Sequence, residues 1–243
     1  MTLPGKRIAD EDIYLSENRY EHPKELFKFI GNLIADSGHS SEFSLLDAGC
    51  ATGEFLYFLD ERFAGHGHFA GLDISAPLIE KARAMVPNAS FVVGGLSEPN
   101  ICEDRSFDVV TCCGVLGCLD DPAPAIMNLL GITAKNGTVL VSSSFNPDPI
   151  DVIVRYRRAE MDDAPLEAGW NVFSHTSIER ILKRSGRKLD WAWHSFEMPF
   201  DLEKKTSDPM RSWTVKTEFR ERQLVNGACQ LINGEVLVVR VLN

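Results

Sequence analysis

Paired cysteines, long apolar runs and an excess of basic charge are all missing from this chain of 243 residues. None of Cys50, Cys102, Cys112, Cys113, Cys118 and Cys229 stands in a C-x-x-C pair, and most sit in apolar segments. That argues against disulfides and metal centres and predicts buried free thiols in a reducing compartment. No apolar run approaches the ~18 residues of a membrane span. Met1–Asp12 has neither the basic start nor the apolar core of a signal peptide. The expectation is a cytoplasmic protein with no membrane partner. Lys and Arg number 25 against 35 Asp and Glu, a net charge of −10. A nucleic-acid substrate normally needs a basic track to neutralise phosphates, so none is expected. Internal repeats and low-complexity runs are absent as well.

With 44% hydrophobic residues, the chain can bury a sizeable core, either as one α/β domain with insertions or as a domain with a small cap. Its organising stretch is Leu45-Leu46-Asp47-Ala48-Gly49-Cys50-Ala51-Thr52-Gly53-Glu54-Phe55-Leu56. The apolar run from Phe43 to Leu46 reads as a buried strand. It ends in an acid, passes through two glycines and opens into a helix with Phe55, Leu56 and Leu59 on its apolar side. Glycine adds no Cβ, so such a loop lets a ligand approach backbone N–H groups closely. The dinucleotide fingerprint G-x-G-x-x-G does not fit, because Ala51 stands at its second glycine and Phe55 lies beyond Gly53, which disfavours a nicotinamide-dependent oxidoreductase.

The stretch resembles motif I, D-x-G-x-G/A-x-G, of class I S-adenosylmethionine-dependent methyltransferases. The resemblance implies S-adenosylmethionine as cofactor, S-adenosylhomocysteine as product, and cofactor contacts from Asp47, Gly49, Cys50, Ala51 and Gly53. His68 to Ile74 forms a second strand ending in Asp73, twenty residues past Gly53. An acid there accepts hydrogen bonds from ribose hydroxyls. Ser75 can cap the helix that follows and Pro77 suits its first turn, and the match to motif II implies contacts from Asp73 and Ile74. In the third unit, Ser90 to Leu96, family members commonly carry an acid near the adenine amino group. Gly95 stands in its place, which leaves backbone groups around Gly95 and Leu96, or Ser97 or Glu98, to read adenine. Phe107–Leu116 resembles motif IV, and the resemblance implies that carbonyls near Cys113 and Gly114 hold the methionine ammonium. Cys118 replaces the histidine of the family's next segment. It reads as a packing residue, since methyl transfer needs no nucleophilic thiol.

Strand and helix alternate from Phe43 through a fifth strand at Thr138–Phe145, which predicts a doubly wound, mostly parallel sheet with helices on both faces. Seven strands are expected, the last antiparallel, in a single methyltransferase-like domain over 1–243. Residues 1–40 form a helical cap and 43–145 the cofactor-binding core. A lid covers 146–175, and 176–243 supplies a helix and antiparallel strands. In the cap, Met1–Tyr20 reads as irregular, followed by a helix with Pro23 in its first turn. A covering segment of this kind would bring Tyr14, Arg19 and Tyr20 to the methionine carboxylate or the substrate entrance, while plain surface placement is the alternative. The lid carries a helix from Ile150 to Arg158. Thr176-x-x-Glu179 is a capping-box sequence for the next helix, with Gly186 as its stop. Leu189–Phe196 is the sixth strand, Trp213–Thr217 and Arg222–Val225 are extra strands, and Asn233-Gly234 is a hairpin turn into the last strand.

The sulfonium activates the methyl group, so the protein must align, desolvate and, for a hydroxyl acceptor, remove a proton. His175 is the leading candidate base, ahead of His194, Asp148, Asp151 and Tyr156. No metal-ligand set of the kind used by catechol-directed members is apparent. The expected function is methyl transfer to a small-molecule acceptor, with O-methylation of a sugar-containing or specialised metabolite favoured. The alternative is a nucleoside-binding relative without transfer activity, motivated by Gly95 and Cys118. A homodimer is left open.

Overall fold

The computed structural model describes residues 11–38, 42–99, 101, 105–157, 159, 162–206, 208 and 210–242. Cys102, Arg158 and residues 1–10 of the leading segment lie outside them. Two helices come first, α1 (Glu11–Ser16) and α2 (Glu25–Asp36). Then β1 (Phe43–Ala48), α3 (Glu54–Phe63), β2 (Gly67–Asp73), α4 (Ala76–Met85), β3 (Ser90–Val93) and β4 (Phe107–Cys113) alternate. The chain continues through α5 (Ala123–Gly131) and β5 (Thr133–Asn146). Short strands β6 (Arg155–Tyr156), β7 (Glu167–Ala168) and β8 (Phe173–Ser174) lead to α6 (His175–Arg184) and β9 (Leu189–Ser195). The tail contains β10 (Trp213–Val215), β11 (Gln223–Val225), β12 (Leu231–Ile232) and β13 (Gly234–Val241).

The main sheet runs β3-β2-β1-β4-β5-β13-β9, with β8 added at the end of β5. β1 to β5 pair in parallel, while β13 lies antiparallel between β5 and β9. This is the expected doubly wound sheet with an inserted antiparallel strand. Parallel strands are covered on both faces, so their sequences run apolar without a break, and successive residues serve opposite cores. Leu45 and Val109 pack with Ile30, Ile34, Leu56 and Ile79 on the face of α2, α3 and α4. Leu46 and Val110 pack with Leu129, Phe145, Ile178 and Leu182 on the face of α5 and α6. Leu45 and Leu46 are at most 1% exposed, and each such side chain stabilises the fold by about 2 kcal/mol.

Several local expectations give way. Glu11–Ser16 is helical, and α2 starts at Glu25 with Lys24 as its N-cap, so Pro23 precedes the helix instead of opening it. The lid helix does not form. Val152 bridges Val172, and β6 pairs antiparallel with β7. Pro147 and Pro149 drive their predecessors toward extended backbone, and the run Val152, Ile153, Val154 is β-branched. The cap of α6 is Ser174, whose hydroxyl accepts from the Ser177 N–H at 3.1 Å. Asp151 fixes that serine by accepting from both its N–H and its hydroxyl. Thr176 therefore falls inside the helix, and Glu179 pairs with Lys183. Asn233-Gly234 is not a hairpin turn either. β12 belongs to a separate sheet with β10 and β11, and the dipeptide passes the chain from that sheet to the main one.

Candidate active site

At the carboxyl end of β1 the chain turns through three residues in left-handed conformation: Gly49 (φ 87°), Ala51 (φ 46°) and Gly53 (φ 78°). The N–H groups of Gly49 and Cys50 both donate to the Leu72 carbonyl, at 2.6 and 3.0 Å. That folds the loop back onto β2. A Cβ on Gly49 would come within 2.1 Å of Val115 Cγ2, so this position requires glycine for space as well as for backbone angle. Gly53 then releases the chain into α3, whose first residue, Glu54, is buried.

Asp73 closes the loop from the neighbouring strand. One carboxylate oxygen accepts from the Ala51 N–H and the other from the Ser75 N–H, each at 2.9 Å. Each oxygen keeps a further lone pair, because a carboxylate offers about four acceptor sites. Ile74, next to it, is 48% exposed despite its apolar side chain. The Gly94 N–H donates to the Asp73 carbonyl at 2.9 Å, which brings the end of β3 to the same edge. Gly95 itself is buried, and a Cβ there would meet Glu98 Oε1 at 2.7 Å. The Leu96 carbonyl is already occupied by the Asn128 side-chain amide.

Asp47 sits beneath the loop at 2% exposure and accepts from Thr111 Oγ1 at 2.7 Å. Burial pushes its carboxyl up to about 7, against the Thr111 hydrogen bond and with added repulsion from Asp73. Cys113 ends β4 and Gly114 follows it. Gly114 has φ 76° and donates its N–H to the Ser142 carbonyl. Burial pushes the Cys113 and Cys50 thiols well above the ordinary range, so neither supplies a thiolate. The structure thus brings Asp47, Gly49, Cys50, Ala51, Gly53, Asp73, Ile74, Gly95, Leu96, Cys113 and Gly114 to one edge of the sheet.

His175 follows β8, which pairs with the carboxyl end of β5, and so lies farther along the same edge. This residue opens α6, where its Nε2 lies 2.8 Å from Glu235 Oε2 and its ring stacks on Trp193 with centroids 3.9 Å apart. Those partners belong to β13 and β9, and β13 lies two strand spacings from β4, about 10 Å. Asp151 is committed to Ser174 and Ser177, and Tyr156 donates to Glu167. Among the described residues no group of three or more His, Cys, Asp or Glu side chains is arranged to hold a metal ion. Nor is any helix there long and apolar enough to cross a membrane.

The cap is fastened directly to the loop. Tyr20 donates its hydroxyl to the Thr52 carbonyl at 2.8 Å, and the Arg19 N–H donates to Glu54 at 2.9 Å. Between this cap and the segment after β9 lies a cleft of about 870 Å³, whose lining includes Tyr14, Arg19, Lys24, Trp170, Phe196 and Arg211. Burial would raise the Glu17 carboxyl, but hydrogen bonds from Arg19 and Arg211 and the charges of Arg19 and Lys24 hold it at about 2. Sequence reasoning reached Tyr14, Arg19 and Tyr20 but missed Glu17, Lys24, Trp170 and Arg211. The nearest signal was the density of charge around Pro23, just ahead of an apolar helix.

A family model described as a methyltransferase domain matches residues 15–190. The chain belongs to this methyltransferase family. The matched span runs from the cap to the start of β9, and the resemblance read from the glycine loop is borne out at the level of family and fold. Among curated proteins, the methyltransferase domain resembles the probable methyltransferase ltbC of Aspergillus luteorubrus, 28% identical over 142 residues. That match covers 50% of each chain, so the domain spans about half the length of this curated relative. A TehB-like SAM-dependent methyltransferase from Corynebacterium glutamicum superposes with a TM-score of 0.56 at 18% identity, covering 97% of this chain and 99% of that one. CalS10, a SAM-bound amino pentose methyltransferase from Micromonospora echinaspora, gives 0.58 at 14% identity over 99% of both chains.

Proposed function

We propose that the domain binds S-adenosylmethionine along the carboxyl edge of β1 to β4 and transfers its methyl group to a small molecule held in the cleft beneath the cap. The observation that carries this reading is Asp73. Two backbone N–H groups fix its carboxylate, lone pairs remain on both oxygens, and the exposed Ile74 lies alongside. A rigid double acceptor beside an apolar surface suits a vicinal diol joined to a flat base, which is a nucleoside. When bound, the cofactor supplies a methyl group already activated by positive charge on sulfur. The chain's own work is positioning. The Gly49–Gly53 loop allows close backbone approach, and Tyr20 and Arg19 tie the cap over it.

In the transfer, a lone pair of the acceptor forms the new bond to carbon as the carbon–sulfur bond breaks, and that pair stays on sulfur. A hydroxyl acceptor also gives up a proton. The His175 ring is engaged by Glu235 and Trp193, so the reading assigns it no part in that step. The finer preference is a hydroxyl on a sugar-containing or specialised metabolite. It is supported by the charged, aromatic-lined cleft and by the amino pentose named for the structural neighbour CalS10. A cytoplasmic location without nucleic-acid or membrane partners remains part of the proposal, and so does the division into cap, core, lid and C-terminal strands.

Calorimetric titration with S-adenosylmethionine and S-adenosylhomocysteine tests the reading. Micromolar binding corresponds to about −8 kcal/mol. Asp73→Ala should weaken it at least tenfold, since hydrogen bonds to a charged group are worth about 1.5–3 kcal/mol. No heat with either ligand in the wild type would sink the proposal. Binding without turnover across an acceptor panel would favour the nucleoside-binding alternative, for which the missing acid at Gly95 is the motive.

A further inference from the structure

Among the described residues three half-buried cations line the cleft: Arg19, Lys24 and Arg211. Arg19 and Arg211 both bind Glu17, at 3.0 and 2.9 Å, and Arg211 also faces Asp208. Lys24 has no carboxylate within ion-pair distance among the described residues. Its ammonium lies 5.1 Å from the centroid of the Tyr14 ring and 5.3 Å from that of Phe27. Two ring faces at this range hold a cation in place without neutralising it. Burial lowers the Lys24 pKa, opposed by the more distant charges of Glu54 and Glu17. The cap that carries Lys24 is itself fastened to the glycine loop by the Tyr20 hydroxyl and the Arg19 N–H.

We propose that Lys24 is the oxyanion receptor of the acceptor subsite, taking a carboxylate oxygen of an aromatic molecule, a reading that rests on the methyl-transfer function above. A desolvated ammonium gains most from a ligand oxyanion, because charge-assisted hydrogen bonds are about twice as strong as neutral ones. The aromatic component of the ligand follows from the walls: Trp170, Phe196, Phe200 and Met198 surround the approach. The net charge of −10 does not oppose this at close range. Fields between exposed charges are largely screened beyond about 8 Å at physiological salt, whereas a half-buried contact is screened much less. The methionine carboxylate of the cofactor is a second oxyanion within the same assembly, and the experiment must separate the two.

The probes are 4-hydroxybenzoate and 4-hydroxybenzamide, followed by saturation-transfer NMR with and without S-adenosylhomocysteine, on the wild type and on Lys24→Met. The wild type should prefer the acid to the amide. Lys24→Met should lower affinity for the acid about tenfold while leaving the amide and S-adenosylhomocysteine unchanged, and Lys24→Arg should recover part of the loss. Equal binding of acid and amide by the wild type, or no binding of the acid, overturns the proposal without using any variant. Weaker S-adenosylhomocysteine binding in Lys24→Met, with 5′-methylthioadenosine (which has no carboxylate) unaffected, also overturns it by assigning the charge to the cofactor. Failure of the wild type to bind S-adenosylhomocysteine instead strikes at the methyl-transfer reading, since the preference for acid over amide is measured separately.

Discussion

The glycine loop and the cap fastened over it are built from different materials. On the loop side, backbone makes nearly every contact: Gly49 and Cys50 donate to Leu72, and Ala51 and Ser75 donate to Asp73. On the cap side the work falls to side chains, with Arg19 and Arg211 converging on Glu17 and Lys24 held between rings. A backbone-built site tolerates few residue types, because left-handed angles and close approach demand glycine. A side-chain-built site changes its ligand by changing one charge, with the chain path intact. The first arrangement suits a ligand shared by many proteins, the second an acceptor particular to this one.

Gly49→Ala offers the strongest test of that contrast. The new methyl would meet Val115 at 2.1 Å and hold a left-handed angle. Together, backbone strain of about 1–2 kcal/mol and overpacking of about 1–3 kcal/mol predict a loss of about 2–5 kcal/mol in chemical denaturation, with nucleoside binding abolished. A variant of wild-type stability and affinity would show that backbone space does not govern the loop side.

That asymmetry also explains what could be read from residues alone. The order of strands from β1 to β5, the loop and Asp73 were legible because each depends on local pattern: apolar runs, glycines at fixed spacing, an acid at a strand end. The lid was not. Ile150 to Tyr156 has enough apolar residues for a helix, but its partners Val172, Glu167 and Ala168 arrive from later in the chain and pull it into strands. The cap of α6 was misplaced for a similar reason, since Ser174 owes its role to Asp151, distant in sequence. Glu17, Trp170 and Arg211 meet in the cleft from three separate segments, and no spacing rule anticipates that meeting.

Asp47 gives the next largest effect, on the loop side. Its native carboxyl titrates near 7 because burial disfavours the charge, against an ordinary value of 3.8. The folded state therefore binds this proton more tightly than the unfolded state does. Stability from this group is fully present below about pH 4 and is lost as pH rises toward 7, by up to about 1.4 kcal/mol per pH unit. Asp47→Asn keeps an acceptor for Thr111 and removes the titration. Denaturation midpoints of the variant should then gain on the wild type between pH 4 and 7, and parallel curves would contradict the burial argument.

Glu17 predicts the opposite slope on the cap side. Its native carboxyl is held at about 2, below the ordinary 4.5. Its contribution is complete above pH 4.5 and disappears as pH falls from there toward 2. Arg19 is partly exposed, so the stabilisation is on the order of 1 kcal/mol after solvent screening. Glu17→Gln should flatten the acid limb of the stability curve while leaving S-adenosylhomocysteine affinity at neutral pH within about twofold, an amount worth less than 0.5 kcal/mol. A large loss of affinity would mean that the cap and the loop are not independent.

His175 should matter least to turnover, for reasons that lie in its neighbours. A histidine before a helix in a methyltransferase-like chain invites assignment as a base, and a base contributes about 10²- to 10⁴-fold. Here the ring is stacked on Trp193, bonded to Glu235 and directed to the β13–β9 flank. Removing it as His175→Ala forfeits a ring contact worth about 0.5–1.5 kcal/mol, which thermal melting will register. With an acceptor in hand, kcat/KM should stay within about threefold of wild type, or about 0.6 kcal/mol. A hundredfold fall in kcat at unchanged S-adenosylhomocysteine affinity would instead return His175 to the chemistry and require α6 to move toward the cleft. Retained turnover with a lowered melting temperature would leave the ring a packing role between α6, β9 and β13.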